Sequence, residues 1–230
     1  MRPKLDILPS AQRSLWPHLR ELPDDFVLYG GTAIALRLGH RESIDFDFFT
    51  DEPLPDARKD RLKAEMPFLR HADVIQSDAD TFTLLAPIDQ STVKISFFGG
   101  LKVGRVAKPD KTDDEVACVA SLEDLLAHKL KVIHDRAEGK DYQDIAEMLE
   151  QGMDLAHGLG GRLALFGPSV PTMTTVKALT WFKDINEPWR LPDPSRQIIL
   201  EAVRKLPARI PEVEIEAATL RCASGSSYTP

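Results

Sequence analysis

The chain has 230 residues, a formal net charge of −7 and a sequence pI of about 5.4. Its hydrophobic content of 43% suffices for a real core, and its length fits one sizeable domain or a domain with a helical extension. Because an acidic chain lacks the basic footprint of a general nucleic-acid binder, we expect any nucleic-acid contact to be local or the substrate to be small. The charge is also compatible with a basic protein partner.

Targeting and redox features are sparse. The sequence contains no run of 18 apolar residues and its first residues are polar, so neither a membrane span nor a signal peptide is expected. The two cysteines, Cys118 and Cys222, are too few and too far apart to suggest a disulfide framework or a zinc site. We therefore expect a cytoplasmic protein with reduced thiols and no membrane association.

The first elements are a helix and a buried strand. A helix is expected from Ser10 to Glu21, with a break or kink at Pro17. The segment from Phe26 to Tyr29 is apolar and β-prone, and the pair Gly30-Gly31 ends it. Two glycines allow a positive φ and let the backbone approach a ligand closely.

A short helix is predicted directly after the glycines. Thr32 is expected as its N-cap and Gly39 as the residue that follows its end. The free N–H groups and the positive dipole end of such a helix attract a phosphate. A Gly-Gly-Thr sequence alone is more often only a turn, so its context has to decide.

The next strand presents two carboxylates on one face. Its apolar face, which is expected to be buried, consists of Ile44, Phe46 and Phe48. Asp45 and Asp47 alternate with these residues and lie about 7 Å apart along the strand. Such carboxylates can both bind Mg²⁺ or Mn²⁺, which leaves positions open for substrate phosphates. A lone Asp-x-Asp is more often a solvated strand face, but its pairing with the glycine turn favours a site.

The remaining pattern alternates between helices and strands. Further strands are predicted over Ala72–Gln76, Thr81–Leu85 and Ser91–Phe98, and further helices over Asp56–Leu69, from Ser121 onward, Asp141–Glu150, Val176–Asp184 and Ser195–Leu206. This order predicts an α/β (α+β) fold with a mixed β-sheet core, flanking helices and a helical C-terminal part. We divide it into a core over residues 1–115, a helical region over 116–222 packed on the core, and a disordered tail over 223–230.

Two blocks of the sequence resemble the AbiEii/AbiGii toxin family, whose members are nucleotidyltransferase-like proteins with the DNA polymerase β type of fold. The first block is Gly30-Gly31-Thr32-Ala33 together with Gly39-His40-Arg41-x-Ser43-x-Asp45-Phe46-Asp47-Phe48-Phe49. The second block is Asp124-Leu125-Leu126-Ala127-x-Lys129-Leu130 together with Arg136-x-x-x-Lys140-Asp141-Tyr142-x-Asp144-Ile145.

The resemblance implies roles for the residues of the first block. Gly30, Gly31 and Thr32 match the glycine motif of the superfamily and would bind the nucleotide, with Ser43 beside them. Asp45 and Asp47 match its metal-binding pair and would be catalytic.

The second block supplies further candidates. Lys129 lies on the apolar stripe of its helix, so it either snorkels to solvent or meets an anion. The resemblance places Lys129 near a nucleotide phosphate, and Lys140 with Asp141 at the border of the nucleotide or acceptor site. Asp141 is the candidate general base or metal-shell group. The alternative for Asp141 and Asp144 is a favourable interaction with the helix dipole.

The strand Ser91–Phe98 departs from the pattern of many polymerase-β-type transferases. Ser96 occupies the position where those enzymes carry a third carboxylate. Either another acid supplies that function, or the site is weakened and binds nucleotide without fast transfer. Lys94 points to the same side as Ser96 and is a candidate to hold a triphosphate.

These observations favour an enzyme that uses Mg²⁺ to transfer NMP from an NTP to an acceptor hydroxyl of RNA, a protein or a small molecule. The resemblance implies RNA (tRNA) as the expected acceptor. The resemblance implies the toxin of a toxin–antitoxin or abortive-infection pair, with an antitoxin protein as partner. The alternative is a catalytically weakened module of the same fold that binds nucleotide or a partner protein. A glycosyltransferase with a metal-binding Asp-x-Asp fits the glycine turn and helix less well.

Overall fold

In the computed structural model, which describes residues 1–185 and 191–222, the β-prone segments form one mixed sheet. The strands are β1 (Val27–Tyr29), β2 (Asp45–Phe49), β3 (Asp73–Asp78), β4 (Thr81–Ile88), β5 (Ser91–Phe98), β6 (Asp110–Lys111) and β7 (Cys118–Val119). The helices are α1 (Ser10–Leu15), α2 (Gly30–Leu38), α3 (Asp56–Glu65), α4 (Leu122–Val132), α5 (Gly139–Glu150), α6 (Leu155–Phe166), α7 (Thr172–Thr180) and α8 (Asp193–Arg204).

The strand order in the sheet is β3-β4-β5-β2-β1-β7-β6. β2 pairs antiparallel with β1 and parallel with β5, while β3, β4 and β5 form an antiparallel meander. β1 also pairs in parallel with β7, so strand pairing continues past residue 115. The α/β architecture with a mixed sheet, flanking helices and a helical C-terminal part is thereby confirmed.

Aromatic side chains fill the core on one face of the sheet. Phe97 lies 5.1 Å from Phe26 and 5.8 Å from Phe48 between ring centroids, and Trp16 of the N-terminal region packs 6.3 Å from Phe46. Burying these rings supplies a large part of the apolar area that stabilises the sheet. This confirms the alternation predicted for β2.

The alternation fails at Ile44. This residue precedes β2 and is 55% exposed, so it does not join the buried face. The strand begins at Asp45, one residue later than the apolar pattern indicates.

Proline shapes two of the predicted helices. The opening helix changes to a 3-10 helix over Trp16–Glu21, as expected from the position of Pro17. The helix predicted to reach Leu69 ends at Glu65, because Met66 precedes Pro67 and takes an extended backbone with φ −87° and ψ 110°.

Helix α2 begins two residues before its predicted N-cap. Tyr29 precedes the helix, and Gly30 is its first residue, so the prediction of Thr32 as N-cap is wrong. The positive φ of Gly30, +72°, turns the chain from β1 directly into the helix. Gly39 ends α2 with a φ of +73°, as predicted.

Helix α6 has no counterpart among the predicted elements. Its glycines weaken the helical pattern, but they serve close packing. A Cβ on Gly158 would lie 2.6 Å from Leu126 Cδ2 of α4, and a Cβ on Gly160 would collide with the carbonyl of Pro211. Tertiary packing thus overrides the low helix propensity of glycine.

The C-terminal part consists mainly of helices, with the bounds of two of them shifted. The helices predicted at Val176–Asp184 and Ser195–Leu206 correspond to α7 and α8, which both begin earlier. The predicted disordered tail, residues 223–230, lies outside the described residues. Within the described ranges, no helix has the length and apolar character needed to cross a membrane.

A C-terminal segment, residues 213–222, crosses the molecule and docks beside the sheet. Arg105 pairs with Ala217 through a backbone bridge, and its Nε donates to Glu216 Oε2 at 2.6 Å. Arg221 Nη2 donates to Glu52 Oε1 at 2.8 Å, and Leu220 is completely buried. This segment therefore stabilises the loop that precedes β6.

The two cysteines form a disulfide, which corrects the expectation of two separate thiols. Cys118 of β7 is bonded to Cys222 across 104 residues of sequence, with their Cα atoms 6.1 Å apart. The two cysteines are far apart in the sequence but close in space, because the C-terminal segment returns to the sheet next to β7.

This cross-link predicts a redox-dependent stability. Under non-reducing conditions Cys222→Ser should lower the free energy of unfolding by about 2–4 kcal/mol, because the bond restricts the unfolded chain. Chemical denaturation with and without dithiothreitol measures the difference. In dithiothreitol the wild type and the variant should unfold together; a persistent gap there would show that the cysteine side chain, not the bond, stabilises the fold.

Candidate active site

The carboxylate of Asp47 lies directly against the glycine turn. Strand register places Asp47 opposite Tyr29, the residue that precedes the turn. A Cβ added to Gly30 would lie 2.6 Å from Asp47 Oδ2, and Gly30 also has a positive φ. Only glycine meets both conditions without strain. The acid and the turn thus form one wall of a site.

Strands β2 and β5 bring four polar side chains to the same face. Asp45 is registered with Lys94, and Asp47 with Ser96. Lys94 Nζ lies 3.3 Å from Asp45 Oδ2, and both side chains are partly exposed. The face therefore offers two carboxylates, one ammonium group and one hydroxyl to a ligand.

The environment of Asp47 disfavours its charged form. Burial raises the pKa of Asp47, and the adjacent charge of Asp45 raises it further. Lys94, a hydrogen bond from the Ser96 hydroxyl, and Lys129 counteract this rise only in part. Two carboxylates that are held close together and partly desolvated are the arrangement that a cation relieves.

Ser96 is built into the sheet. Its side chain is buried, it pairs with Thr83 of β4, and its hydroxyl interacts with Asp47. Ser96 thus lies next to Asp47 at the position where many polymerase-β-type transferases carry a third carboxylate. Within the described part of the chain, no group of three or more His, Cys, Asp and Glu side chains is arranged to hold a metal.

The donor set nevertheless fits magnesium. Asp45 and Asp47 supply hard carboxylate oxygens, and Mg²⁺ in phosphate-transfer sites is commonly held by one or two carboxylates with substrate oxygens and waters. The raised pKa of Asp47 is the observation that favours a cation there, because a divalent charge would replace the repulsion between the two acids.

An aromatic wall stands beside Asp47. Tyr29 stacks on Phe49 with 4.6 Å between ring centroids, and His128 lies 4.9 Å from Tyr29. Burial lowers the pKa of His128 to about 4, so this ring is neutral at physiological pH. These rings hold β1 and β2 together.

Lys129 meets anions, which resolves the alternative left open by the sequence. Its ammonium is buried between two fully buried carboxylates, at 2.6 Å from Asp141 Oδ1 and 2.7 Å from Asp144 Oδ2. The lysine does not snorkel to solvent. Its two described partners belong to the protein rather than to a nucleotide.

Asp144 connects this lysine to the glycine turn. Arg41 donates to it twice, from Nε at 2.7 Å and from Nη2 at 2.9 Å, and His40 Nε2 lies 2.8 Å from Oδ1. Burial by itself raises the pKa of Asp144, but Lys129, His40 and Arg41 outweigh it and hold that pKa well below its ordinary value. A helix-dipole interaction does not account for this residue.

Arg41 in turn supports Gly31. A Cβ on Gly31 would collide with Arg41 Nη2, so glycine is required for the guanidinium to lie under the turn. The chain from Lys129 through Asp144 to Arg41 thus ties helices α4 and α5 to the start of α2. Sequence reasoning assigned no such role to Arg41 or Asp144.

Asp141 is held from two sides. Arg136 Nε donates to its Oδ2 at 2.9 Å, while Lys129 binds Oδ1. A fully buried carboxylate with both oxygens in ion pairs is poorly placed to act as a general base or a metal ligand. Lys140 lies at the same helix end but pairs with Glu138 at 3.0 Å and stays partly exposed.

Thr32 and Ser43 face the interior. Their hydroxyl oxygens are 2.7 Å apart, and Thr32 also donates to the carbonyl of Asp45. Both side chains are buried. They fix the start of β2 against α2, so they position Asp45, and their hydroxyls already have partners within the protein.

Comparison with known proteins now decides the family. Residues 16–182 match the family described as the nucleotidyl transferase AbiEii toxin of a type IV toxin–antitoxin system. The chain belongs to this family. The match spans the glycine turn, both acids and the buried ion cluster, and it confirms the resemblance found in the sequence. As a member of the AbiEii family, the protein is a nucleotidyltransferase of the toxin type.

Other similarities agree with this result. The protein aq_aa25 of Aquifex aeolicus (strain VF5) is 29% identical over 167 residues, which are 71% of this chain and 77% of that protein. MenT4, the nucleotidyltransferase toxin Rv2826c from Mycobacterium tuberculosis H37Rv, superposes with a TM-score of 0.57 at 16% identity, over 84% of this chain and 82% of its own. The crystal structure of an H. pylori protein assigned as a nucleotidyltransferase superposes with a TM-score of 0.51 at 17% sequence identity. The superposition covers 86% of this chain and 96% of that chain. These two likenesses show the fold.

The buried ion cluster predicts a large effect of one lysine. Lys129→Met should lower the free energy of unfolding by about 3–5 kcal/mol, because two buried carboxylates lose their shared cation. Lys131→Met on the same helix is the matched control. Its pair with Asp135 is solvent-exposed, so its loss should change stability by at most about 1 kcal/mol. Equal effects of the two variants in urea denaturation would contradict the cluster.

The pKa of Asp47 predicts a trade between activity and stability. Because that pKa is raised in the folded protein, charging Asp47 weakens folding as the pH rises through its ordinary range and above. Asp47→Asn should therefore raise the free energy of unfolding at pH 7 by about 0.5–2 kcal/mol while it abolishes transfer. Denaturation at pH 7 and at pH 3 tests the sign. The gain should vanish at the lower pH, where Asp47 is protonated, and a less stable variant at pH 7 would refute the assignment.

Proposed function

We propose that this AbiEii-family protein uses Mg²⁺ or Mn²⁺ to transfer a nucleoside monophosphate from an NTP to a hydroxyl of RNA, with tRNA as the expected acceptor. The observation that carries the proposal is the contact of the Asp47 carboxylate with Gly30, with Asp45 on the same strand face. Metal ligands and phosphate-binding amides then face one another. Nucleotidyl transfer is the chemistry that needs both.

Each residue of the site has a proposed task. Asp45 and Asp47 would hold the metal ion, which supplies charge stabilisation to the oxygens of the reacting phosphate when it is bound. The N–H groups at Gly30 and Gly31 begin α2 and would bind the triphosphate. Lys94 lies beside Asp45 and is partly exposed, so its ammonium is placed to bind phosphate oxygens.

The reaction itself is an in-line displacement. The acceptor oxygen forms a bond to the α-phosphorus, the bond from that phosphorus to the bridging oxygen breaks, and pyrophosphate leaves. The hydroxyl proton passes to solvent, since Ser96 stands beside Asp47 instead of an acid, and Asp141 is engaged by two cations. The residues of the chain therefore act by orientation and charge rather than by a strong base.

The remaining candidates act through other residues. Lys129, with Asp141 and Asp144, holds α4 and α5 in place and reaches the turn through Arg41. Thr32 and Ser43 position the start of β2. We therefore propose that Lys129, Asp141, Asp144, Thr32 and Ser43 are positioning residues. Gly30, Gly31 and Lys94 contact the nucleotide. Lys140 is partly exposed at the start of α5, and we propose that it contacts the acceptor.

The family supplies the biological setting of the proposal. A toxin of a type IV toxin–antitoxin system is paired with an antitoxin, and we propose such a partner for this chain. We also propose that it acts in the cytoplasm, where NTP and RNA are present.

A double substitution tests the reaction. Asp45→Asn with Asp47→Asn should reduce incorporation of labelled NTP into total RNA by about a thousandfold or more, because several kcal/mol of charge stabilisation are lost. Each of the four NTPs is tested with Mg²⁺, with Mn²⁺ and with EDTA. Asp73→Asn on the exposed edge strand β3 is the control and should retain full incorporation.

The result separates the two functions considered. Full transfer by the double variant would refute the site. Calorimetric binding of NTP and Mg²⁺ by the wild type, without incorporation into any RNA, would instead favour the weakened binding module. The observation that favours the weakened binding module is that Ser96, buried beside Asp47, stands in place of a third carboxylate.

A further inference from the structure

A cavity of about 680 Å³ opens between the loop that joins α4 to α5 and the helix α7. It is lined by residues 133–137, by Tyr142, and by Thr174, Lys177, Ala178, Thr180 and Trp181. Apart from Arg136, which pairs with Asp141, none of these residues is part of the candidate nucleotide site described above.

Arg136 joins this cavity to the candidate active site. It lines the cavity and donates to Asp141, which also binds Lys129. Burial lowers the pKa of Arg136, but Asp141, Glu138 and the charge of Asp47 outweigh this and raise it. The guanidinium thus links the cavity to the buried carboxylate of Asp141.

The charges around the cavity include one cation without an acidic partner. Arg136 and Lys177 both line it; Arg136 is paired with Glu138 and Asp141, whereas within residues 1–185 and 191–222 no acid forms an ion pair with Lys177. Asp135 is the one acid among the lining residues, and Lys131 Nζ pairs with it at 2.6 Å. A ligand with negative charge would be attracted there.

A buried arginine adds to this potential. Arg162 of α6 is 1% exposed, and its Nη2 donates to the carbonyl of Val170 at 2.6 Å. Its Nε and Nη1 find no hydrogen-bond partner among the described residues. Burial lowers the pKa of His134, which lines the cavity, and the charge of Arg162 lowers it further. Arg162 does not line the cavity, but its charge acts on His134 there and adds to the attraction for an anion.

Aromatic surface accompanies the cations. Trp181 lines the cavity and is 53% exposed, and the ammonium of Lys183 lies 5.2 Å from its ring centroid. Tyr142 also lines the cavity, but its ring is buried, which leaves Trp181 as the exposed ring there. Aromatic rings next to cations are the combination that binds single-stranded nucleic acid, whose bases stack and whose phosphates carry charge.

We propose that this cavity binds a nucleotide of the acceptor RNA strand, close to the end that carries the reacting hydroxyl. The proposal rests on the proposed function, because the acceptor must approach the acids on β2 from a neighbouring surface. Arg136 then separates the acceptor pocket from the nucleotide site. Lys177 contacts a phosphate and Trp181 contacts a base.

Binding of a single-stranded RNA without NTP tests the pocket directly. The full chain is titrated into a fluorescein-labelled ten-nucleotide RNA with a free 3′ hydroxyl, and the anisotropy is recorded at several salt concentrations. Trp181→Ala should weaken binding about tenfold or more, and Trp181→Phe should restore most of it. Lys177→Gln should reduce the slope of log K against log salt by about 0.7, the value expected for one lost phosphate contact.

Lys205→Gln is the matched control, since this exposed lysine follows α8 and does not line the cavity. It should bind the RNA as the wild type does, with an unchanged salt slope. Lys177 is exposed, so its variant should unfold close to the wild type, and Trp181→Phe, which retains a ring, controls for lost packing in Trp181→Ala. The inference is overturned if the wild type binds no RNA, or if Trp181→Ala and Lys177→Gln bind it normally.

Calorimetry with NTP and Mg²⁺ keeps this inference distinct from the proposed function. The Lys177 and Trp181 variants should bind NTP with the affinity of the wild type, while Asp45→Asn with Asp47→Asn should lose it. Failure of the wild type to bind any NTP would refute the proposed function. Normal NTP binding together with unaltered RNA binding by the pocket variants would refute the pocket alone.

Discussion

The ammonium of Lys129 between two buried carboxylates is the interaction on which the rest of the site depends. It pairs with Asp141 and Asp144 on one helix, Arg136 and Arg41 supply further positive charge, and Asp144 holds Arg41 beside Gly31. A buried charge without its partner is strongly destabilising, so these groups are held in one arrangement. The glycine turn is consequently held by two contacts. The guanidinium of Arg41 lies against Gly31, and the carboxylate of Asp47 on β2 lies against Gly30.

Local chemistry was readable from the sequence. The alternation of β2 predicts that Asp45 and Asp47 share a face, and the pair Gly30-Gly31 predicts a turn that brings backbone close to a ligand. Both statements follow from a strand period of two and from the absence of a Cβ, and neither needs knowledge of distant residues. The family resemblance needed a second block around Lys129 and Asp141 as well, and the mixed sheet followed from the order of helices and strands along the chain.

Contacts between distant parts of the chain were not readable. Arg41 and Asp144 are 103 residues apart, and nothing in the period of either element predicts that they pair. The apolar stripe of α4 left two possibilities for Lys129, snorkelling to solvent or pairing with an anion, and it could not point to the carboxylates of α5 as that anion. The glycines of α6 likewise indicate a break in the helix when only the sequence is known. Their role in close packing against α4 follows only from the structure.

The C-terminal segment, residues 213–222, has a consequence for biosynthesis. Its partners include Glu52, Arg105 and Cys118, which leave the ribosome long before it does. During translation, the flank of the sheet that Leu220 seals must remain open to solvent. Chains generally fold from the N-terminus as they emerge, so this flank is completed only by a late step. Between the synthesis of the sheet and the arrival of this segment there is thus an interval in which the nascent chain exposes a surface that the finished protein buries.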